Sequence, residues 1–195
     1  RYPHLSDAER YKQAAYWLDE SNTAEGKYHL ALLLINDKLP DLNLSPAQKF
    51  EKIEKLCLEA ATPDAYCEIG KLYKNNLQFP EDNLSQEEKM QQHHNILKAE
   101  EFFLKSNTPF AIDSLCHLYW TYEYPMISHL QKLKKLMELL SNPSTPYRKY
   151  LLGHILYEEY FEMKDKNGVE INHINVAISL FKETIASDEK FSPCA

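Results

Sequence analysis

Pro109-Phe110-Ala111-Ile112-Asp113-Ser114-Leu115-Cys116-His117-Leu118-Tyr119-Trp120 is the stretch whose reading decides the fold. A proline stands ahead of a helical pattern. Ala111 follows two positions later. Leu115, Cys116, Leu118 and Tyr119 then fall on one side of a 3.6-residue helix. The same frame occurs earlier as Pro63, Ala65, Ile69, Gly70, Leu72, Tyr73 and later as Pro146, Leu152, Gly153, Ile155, Leu156. A fourth Pro-x-Ala, Pro193 to Ala195, ends the chain. A pattern that recurs in this way bears on architecture before it bears on chemistry.

The rest of the chain is punctuated as helices. Ser6 with Glu9, and Ser85 with Glu88, have capping-box spacing, and Ser45 followed by Pro46 is a helix start. Helices are expected over 7–21, 24–36, 45–61, 63–75, 86–106, 109–123, 126–141, 146–162 and 174–187. The turn Ser21-Asn22-Thr23, the loops holding Pro40 and Pro80, Asn107-Thr108-Pro109, Pro125, the run Asn142 to Pro146, and Gly168 separate them. Ala8, Tyr11, Ala14, Ala15 and Leu18 give the first helix its apolar stripe. No segment alternates as a strand with turn chemistry, so the class is all-α.

The prolines at 63, 109, 146 and 193 are spaced by 46, 37 and 47 residues. Ala31, Gly70, Cys116 and Gly153, the small residues of the frame, are spaced by 39, 46 and 37. Such periods belong to helix-pair arrays, in which one pair cannot bury its faces alone and neighbours supply the core. A small residue at a fixed place lets the second helix of a pair approach closely.

Composition sets the outer bounds. With 195 residues, 44% apolar and 26% charged, the chain is a folded domain and not a disordered one. The formal net charge of −7 disfavours a general nucleic-acid binder. Lys132, Lys134, Lys135, Arg148 and Lys149 form a local basic stretch, expected to be a solvated helix face, with membrane contact disfavoured. Cys57, Cys67, Cys116 and Cys194 form no C-x-x-C pair and are expected as buried reduced thiols, favouring a reducing compartment. The start at Arg1 without Met and the stop inside a Pro-x-Ala frame suggest a fragment of a longer protein.

Ala65…Ile69-Gly70-Lys71-Leu72-Tyr73, preceded by Cys57-Leu58-Glu59-Ala60-Ala61, resembles the Sel1-like repeat, a relative of the tetratricopeptide repeat. Lys98-Ala99-Glu100-Glu101-Phe102-Phe103 resembles its second helix, while Asn75-Asn76, Cys116, Leu34 and Leu156 depart from its glycine and tyrosine places. The resemblance implies a right-handed α-solenoid of about four degenerate antiparallel helix pairs. It would be one repeat domain with units of approximately 7–62, 63–108, 109–145 and 146–192. It also implies a non-enzymatic adaptor, scaffold or regulator that binds a protein or peptide, such as an enzyme or a host protein. Such proteins are cytoplasmic, or are translocated into a host cell as bacterial effectors or act on effectors.

In that family the first helices line the concave face. Helical geometry then turns Tyr28, Leu32 and Ile35 toward a partner in the first unit, and Cys67, Lys71, Lys74 and Asn75 in the second. Asp113, His117, Trp120 and Thr121 follow in the third, and Tyr150, His154, Tyr157 and Glu158 in the fourth. Half-exposed aromatics are the residues that interfaces use as anchors. Inter-helix packing is the competing role for Trp120, Tyr150 and Tyr157.

Enzymatic signatures are scarce. No P-loop, G-x-G-x-x-G, G-x-S-x-G or H-E-x-x-H is present. His93 and His94 point about 100° apart on a helix and make a poor shared metal site. Cys116 and His117, adjacent on a helix, do not face each other as a nucleophile and base must. No cofactor or metal is expected. The alternative is the helical part of an enzyme whose chemistry lies elsewhere, or in a cluster of His117, His154 and Glu158.

Overall fold

The computed structural model describes residues 5–39, 42–77, 84–121, 129–141, 145–167 and 172–187, with side chains for all of these but 129, 130, 158–167, 172–175, 185 and 187. Among the described residues the chain forms nine helices and no strand. They are α1 (Asp7–Ser21), α2 (Ala24–Ile35), α3 (Pro46–Ala60), α4 (Pro63–Asn75), α5 (Gln86–Ser106), α6 (Pro109–Thr121), α7 (His129–Leu139), α8 (Pro146–Asn167) and α9 (Asn172–Ser187). The all-α expectation is met. Helix α8 runs past the expected end at 162, because residues 163–167 contain neither proline nor glycine. Pro40, Pro80, Pro125, Pro143, Gly168, the Pro193–Ala195 frame and Cys194 lie outside the described residues.

Two compact units are present, residues 1–115 and 116–195. In the first, α1 to α5 pack in chain order, each against the next. In the second, α8 lies against α9.

Each of α2, α4, α6 and α8 is started by a threonine. The hydroxyls of Thr23, Thr62, Thr108 and Thr145 accept hydrogen bonds from the backbone N–H of Gly26, Ala65, Ala111 and Arg148 at 2.9, 3.2, 3.2 and 3.2 Å. A proline cannot supply this bond. The sequence frame therefore begins one residue before the prolines, which merely occupy the first turn. The correction explains why α2, which has no proline, belongs to the series. The interval from threonine to small residue is the same in Thr23/Ala31, Thr62/Gly70, Thr108/Cys116 and Thr145/Gly153.

Helices α1, α3 and α5 begin differently. Ser6, Ser45 and Ser85 each accept from the N–H three residues on, and Glu9, Gln48 and Glu88 accept from the serine N–H in return. All three end on a left-handed residue, with φ of 45° at Asn22, 52° at Ala61 and 49° at Asn107. Asparagine tolerates that conformation. Alanine pays a Cβ clash of about 1 kcal/mol or more.

The two helix kinds meet at the small residues. A Cβ placed on Gly70 would lie 2.6 Å from the ring of Phe103, and one on Gly153 would lie 2.9 Å from the ring of Phe181. Helix α4 thus lies on α5, and α8 on α9, with an aromatic ring filling the space above a glycine. With Phe103 the first unit buries Ile53, Leu56, Cys57, Ile69, Tyr73, Ile96, Ala99 and Phe102. The Tyr73 hydroxyl donates to Glu54 Oε1 at 2.6 Å, so its polar end is satisfied within the core. Ala111, Leu115, Cys116, Leu118 and Tyr119 are all buried, as their helical spacing predicts. Helix α1 differs from its expected role, because none of its residues is buried and Trp17 is 63% exposed.

Gly70→Ala is expected to destabilise the fold by about 1–3 kcal/mol, despite a helix-propensity gain of about 1 kcal/mol. Urea denaturation measures it, and adding Phe103→Leu should return part of the loss. Ala61→Gly should act in the opposite sense. Relief of the left-handed strain raises the urea midpoint by about 1 kcal/mol equivalent.

Candidate functional site

The proposed partner residues of the first unit sit half-buried on α2, α4 and α6. Tyr28 packs against His29, with ring centres 5.6 Å apart. Burial, and then the negative charges of Glu68 and Asp64, push its hydroxyl pKa up. Lys71 Nζ is 2.7 Å from Glu68 Oε1 and 4.3 Å from the centre of the Phe110 ring. A carboxylate and an aromatic face thus hold one ammonium. Lys74 is half-buried, and burial holds its pKa below the usual lysine range. Leu32, Ile35 and Asp113 are half-buried, and Asn75 is exposed.

Cys67 does not belong to this face. It is 5% exposed, near Ser106 and Thr108 at the turn between α5 and α6, and burial raises its thiol pKa. Its place in the helical frame sets the direction correctly, but the α5–α6 turn covers it. Cys57 is also buried and pushed up to about 12 by desolvation, and Cys116 is a third buried free thiol. These thiols are packing groups, since a thiolate is costly in an apolar interior.

In the second unit the structure brings three of the predicted residues together. The His154 ring stands edge-on to Trp120, at 5.3 Å between centres and 74° between planes, and edge-on to Tyr150 at 5.9 Å. Tyr150 leans in turn on Phe181 of α9 at 5.9 Å. His154 Nδ1 is buried. Trp120 and Tyr150 are half-buried and Tyr157 is 47% exposed. Each of Trp120 and Tyr150 therefore packs between helices and still shows a surface. His117 Nδ1 lies 3.3 Å from Thr121 Oγ1, a turn away on the same helix. Thr121 itself is exposed. The side chain of Glu158 lies outside the described residues. Among the described residues no three His, Cys, Asp or Glu side chains gather to hold a metal ion.

The basic stretch is only in part the solvated face expected of it, with Lys134 exposed and Lys132 half-exposed. Arg148 is only 5% exposed. Lys149 Nζ is 3.0 Å from Glu183 Oε2 on α9, and Lys135 Nζ stands 5.3 Å over the Tyr119 ring. Three of the five cations are thus committed inside the second unit. Linear charge counting cannot see Glu183, 34 residues from Lys149. No helix among the described residues is long and apolar enough to cross a membrane.

No protein-family model, curated protein or solved structure matches this chain.

The sequence frame did not single out Phe110 and Phe181. Phe110 is 58% exposed and takes the Lys71 ammonium on its face. Its signal was its place directly after Pro109, in the first turn of α6. Phe181 had none, because its role depends on the glycine it meets on another helix.

Lys74 supplies a pH test. Its folded-state pKa lies below the unfolded value, so the unfolded chain binds more protons between the two, and stability rises with pH through that window. Lys74→Met removes the burial cost. The variant should show a higher urea midpoint than the parent at pH 7, with the advantage shrinking as pH rises toward the ordinary lysine range.

Proposed function

We propose that this chain is a protein-interaction module built from Sel1-like, tetratricopeptide-like helix pairs, stacked as a right-handed α-solenoid, and that it holds another protein against the faces of its first helices. The helix pairs are α2/α3, α4/α5, α6/α7 and α8/α9. Their shared threonine starts support the reading, as do the glycine–aromatic contacts of Gly70 with Phe103 and Gly153 with Phe181. With this pairing α1 stands apart from the first pair, which refines the unit expected over 7–62.

The observation that carries the functional part is the aromatic cluster of the second unit. His154 stands edge-on to both Trp120 and Tyr150, and Tyr157 stands exposed one helical turn beyond His154. Rings braced by neighbours lose little freedom on binding, and an aromatic anchor is worth about 2 kcal/mol or more at an interface. An apolar or aromatic side chain of a partner is the chemistry this surface suits. Lys71, Lys74 and Tyr28 offer a second surface, on the first unit, where Lys71 is already paired to Glu68 and Phe110.

Tyr157→Ala is the cleaner test, because the side chain is exposed and its loss spares the core. A protein captured by the wild type should bind Tyr157→Ala and Trp120→Ala at least about 30-fold more weakly by titration, while circular dichroism stays unchanged. Equal affinity in folded variants overturns the assignment of this face.

A further inference from the structure

Helix α1 has every mark of a second helix, and no first helix precedes it among the described residues. The N-terminal signature is Leu5-Ser6 with Glu9, matching Leu44-Ser45 with Gln48 before α3 and Leu84-Ser85 with Glu88 before α5. The exit matches too. Ser21-Asn22-Thr23 and Ser106-Asn107-Thr108 share the left-handed asparagine, and their serine and threonine hydroxyls lie 3.2 and 3.1 Å apart. These marks belong to second helices in this fold, and neither α2 nor α4 carries them.

Counting back from the left-handed residue aligns the packing positions. Trp17 corresponds to Leu56 and Phe102, Ala14 to Ile53 and Ala99, and Leu18 to Cys57 and Phe103. In α3 and α5 all six of these residues are buried, at 9% exposure or less, where α2 lies on α3 and α4 on α5. In α1 Ala14 is exposed, Leu18 is half-exposed and Trp17 is 63% exposed. The positions buried in α3 and α5 are thus exposed or half-exposed in α1, although α1 packs on α2. Two of these positions, Ala14 and Leu18, line a groove of about 390 Å³ together with Tyr11 of α1 and His29, Leu32 and Leu33 of α2.

We infer that this groove receives a helix of the α2/α4 kind, carried by polypeptide upstream of Arg1 in the same chain and completing the pair to which α1 belongs. The α2–α3 and α4–α5 interfaces set its chemistry. It starts at a threonine and sets a small residue against Leu18, as Gly70 is set against Phe103. It covers Trp17, as α4 covers Phe102. The inference rests on the helix-pair reading but not on the aromatic face of the second unit.

Hydroxyl-radical footprinting with mass spectrometry tests it on two proteins, residues 1–195 and the same chain extended upstream by about 40 residues of its own reading frame. Trp17 should be oxidised readily in the first and several-fold more slowly in the second. Trp17→Ala should lower the melting temperature of the extended chain and leave that of residues 1–195 unchanged. Equal oxidation of Trp17 in both proteins overturns the inference. So does a reading frame with no upstream helix, or protection within residues 1–195 that grows with concentration, which would make a second copy the occupant. The affinity of Tyr157→Ala for its partner does not enter these readouts, so failure of the upstream pairing and failure of the partner face are separate results.

Discussion

The contact between a glycine on one helix and an aromatic ring on the next is the constraint on which the packing depends. Gly70 and Phe103 leave no room for a single added carbon, and Gly153 and Phe181 leave scarcely more. Interiors pack like organic crystals, so a helix pair brought this close fixes the angle and register of both members. Tyr73, Phe102 and Phe50 can then close around the same point, with Tyr73 at 5.2 Å from Phe50 and 6.1 Å from Phe102. From that position the Tyr73 hydroxyl donates to Glu54.

The helix ends serve this contact. A left-handed exit and a threonine start turn the chain sharply, in two residues, from α1 into α2, α3 into α4 and α5 into α6. Short turns of this type leave little freedom in the entry angle, while the longer connections at 36–45 and 76–85 join the two helices of a pair. Those two connections are equally long and the turns before α2, α4 and α6 are alike, so the unequal spacings of 39 and 46 residues come chiefly from the helices, α5 having 21 residues and α3 15. The same constancy exposes α1, whose ends are those of a second helix but whose Trp17 faces solvent.

The surface follows from the frame with some corrections. Positions on first helices predicted to look outward are half-buried to exposed in most cases, including Lys71, Trp120, Tyr150 and Tyr157. Cys67 failed because the turn at Ser106–Thr108 covers it. The basic stretch failed in part, at Arg148, which is buried, and at Lys149, which pairs with Glu183. Each failure comes from a neighbour distant in sequence, which a helical wheel leaves out.

The helices, their capping serines, the small-residue frame and the burial of Ala111, Leu115, Cys116, Leu118 and Tyr119 were all determined by the sequence alone. These are local or periodic properties, set by interactions within about four residues. The tertiary structure decided which ring fills the space over each glycine and which cations are already paired. It also showed that His154 joins Trp120 and Tyr150 in one cluster, and that the positions of α1 equivalent to buried ones in α3 and α5 are exposed or half-exposed. Those outcomes rest on contacts between helices tens of residues apart, and no periodicity within one helix encodes them.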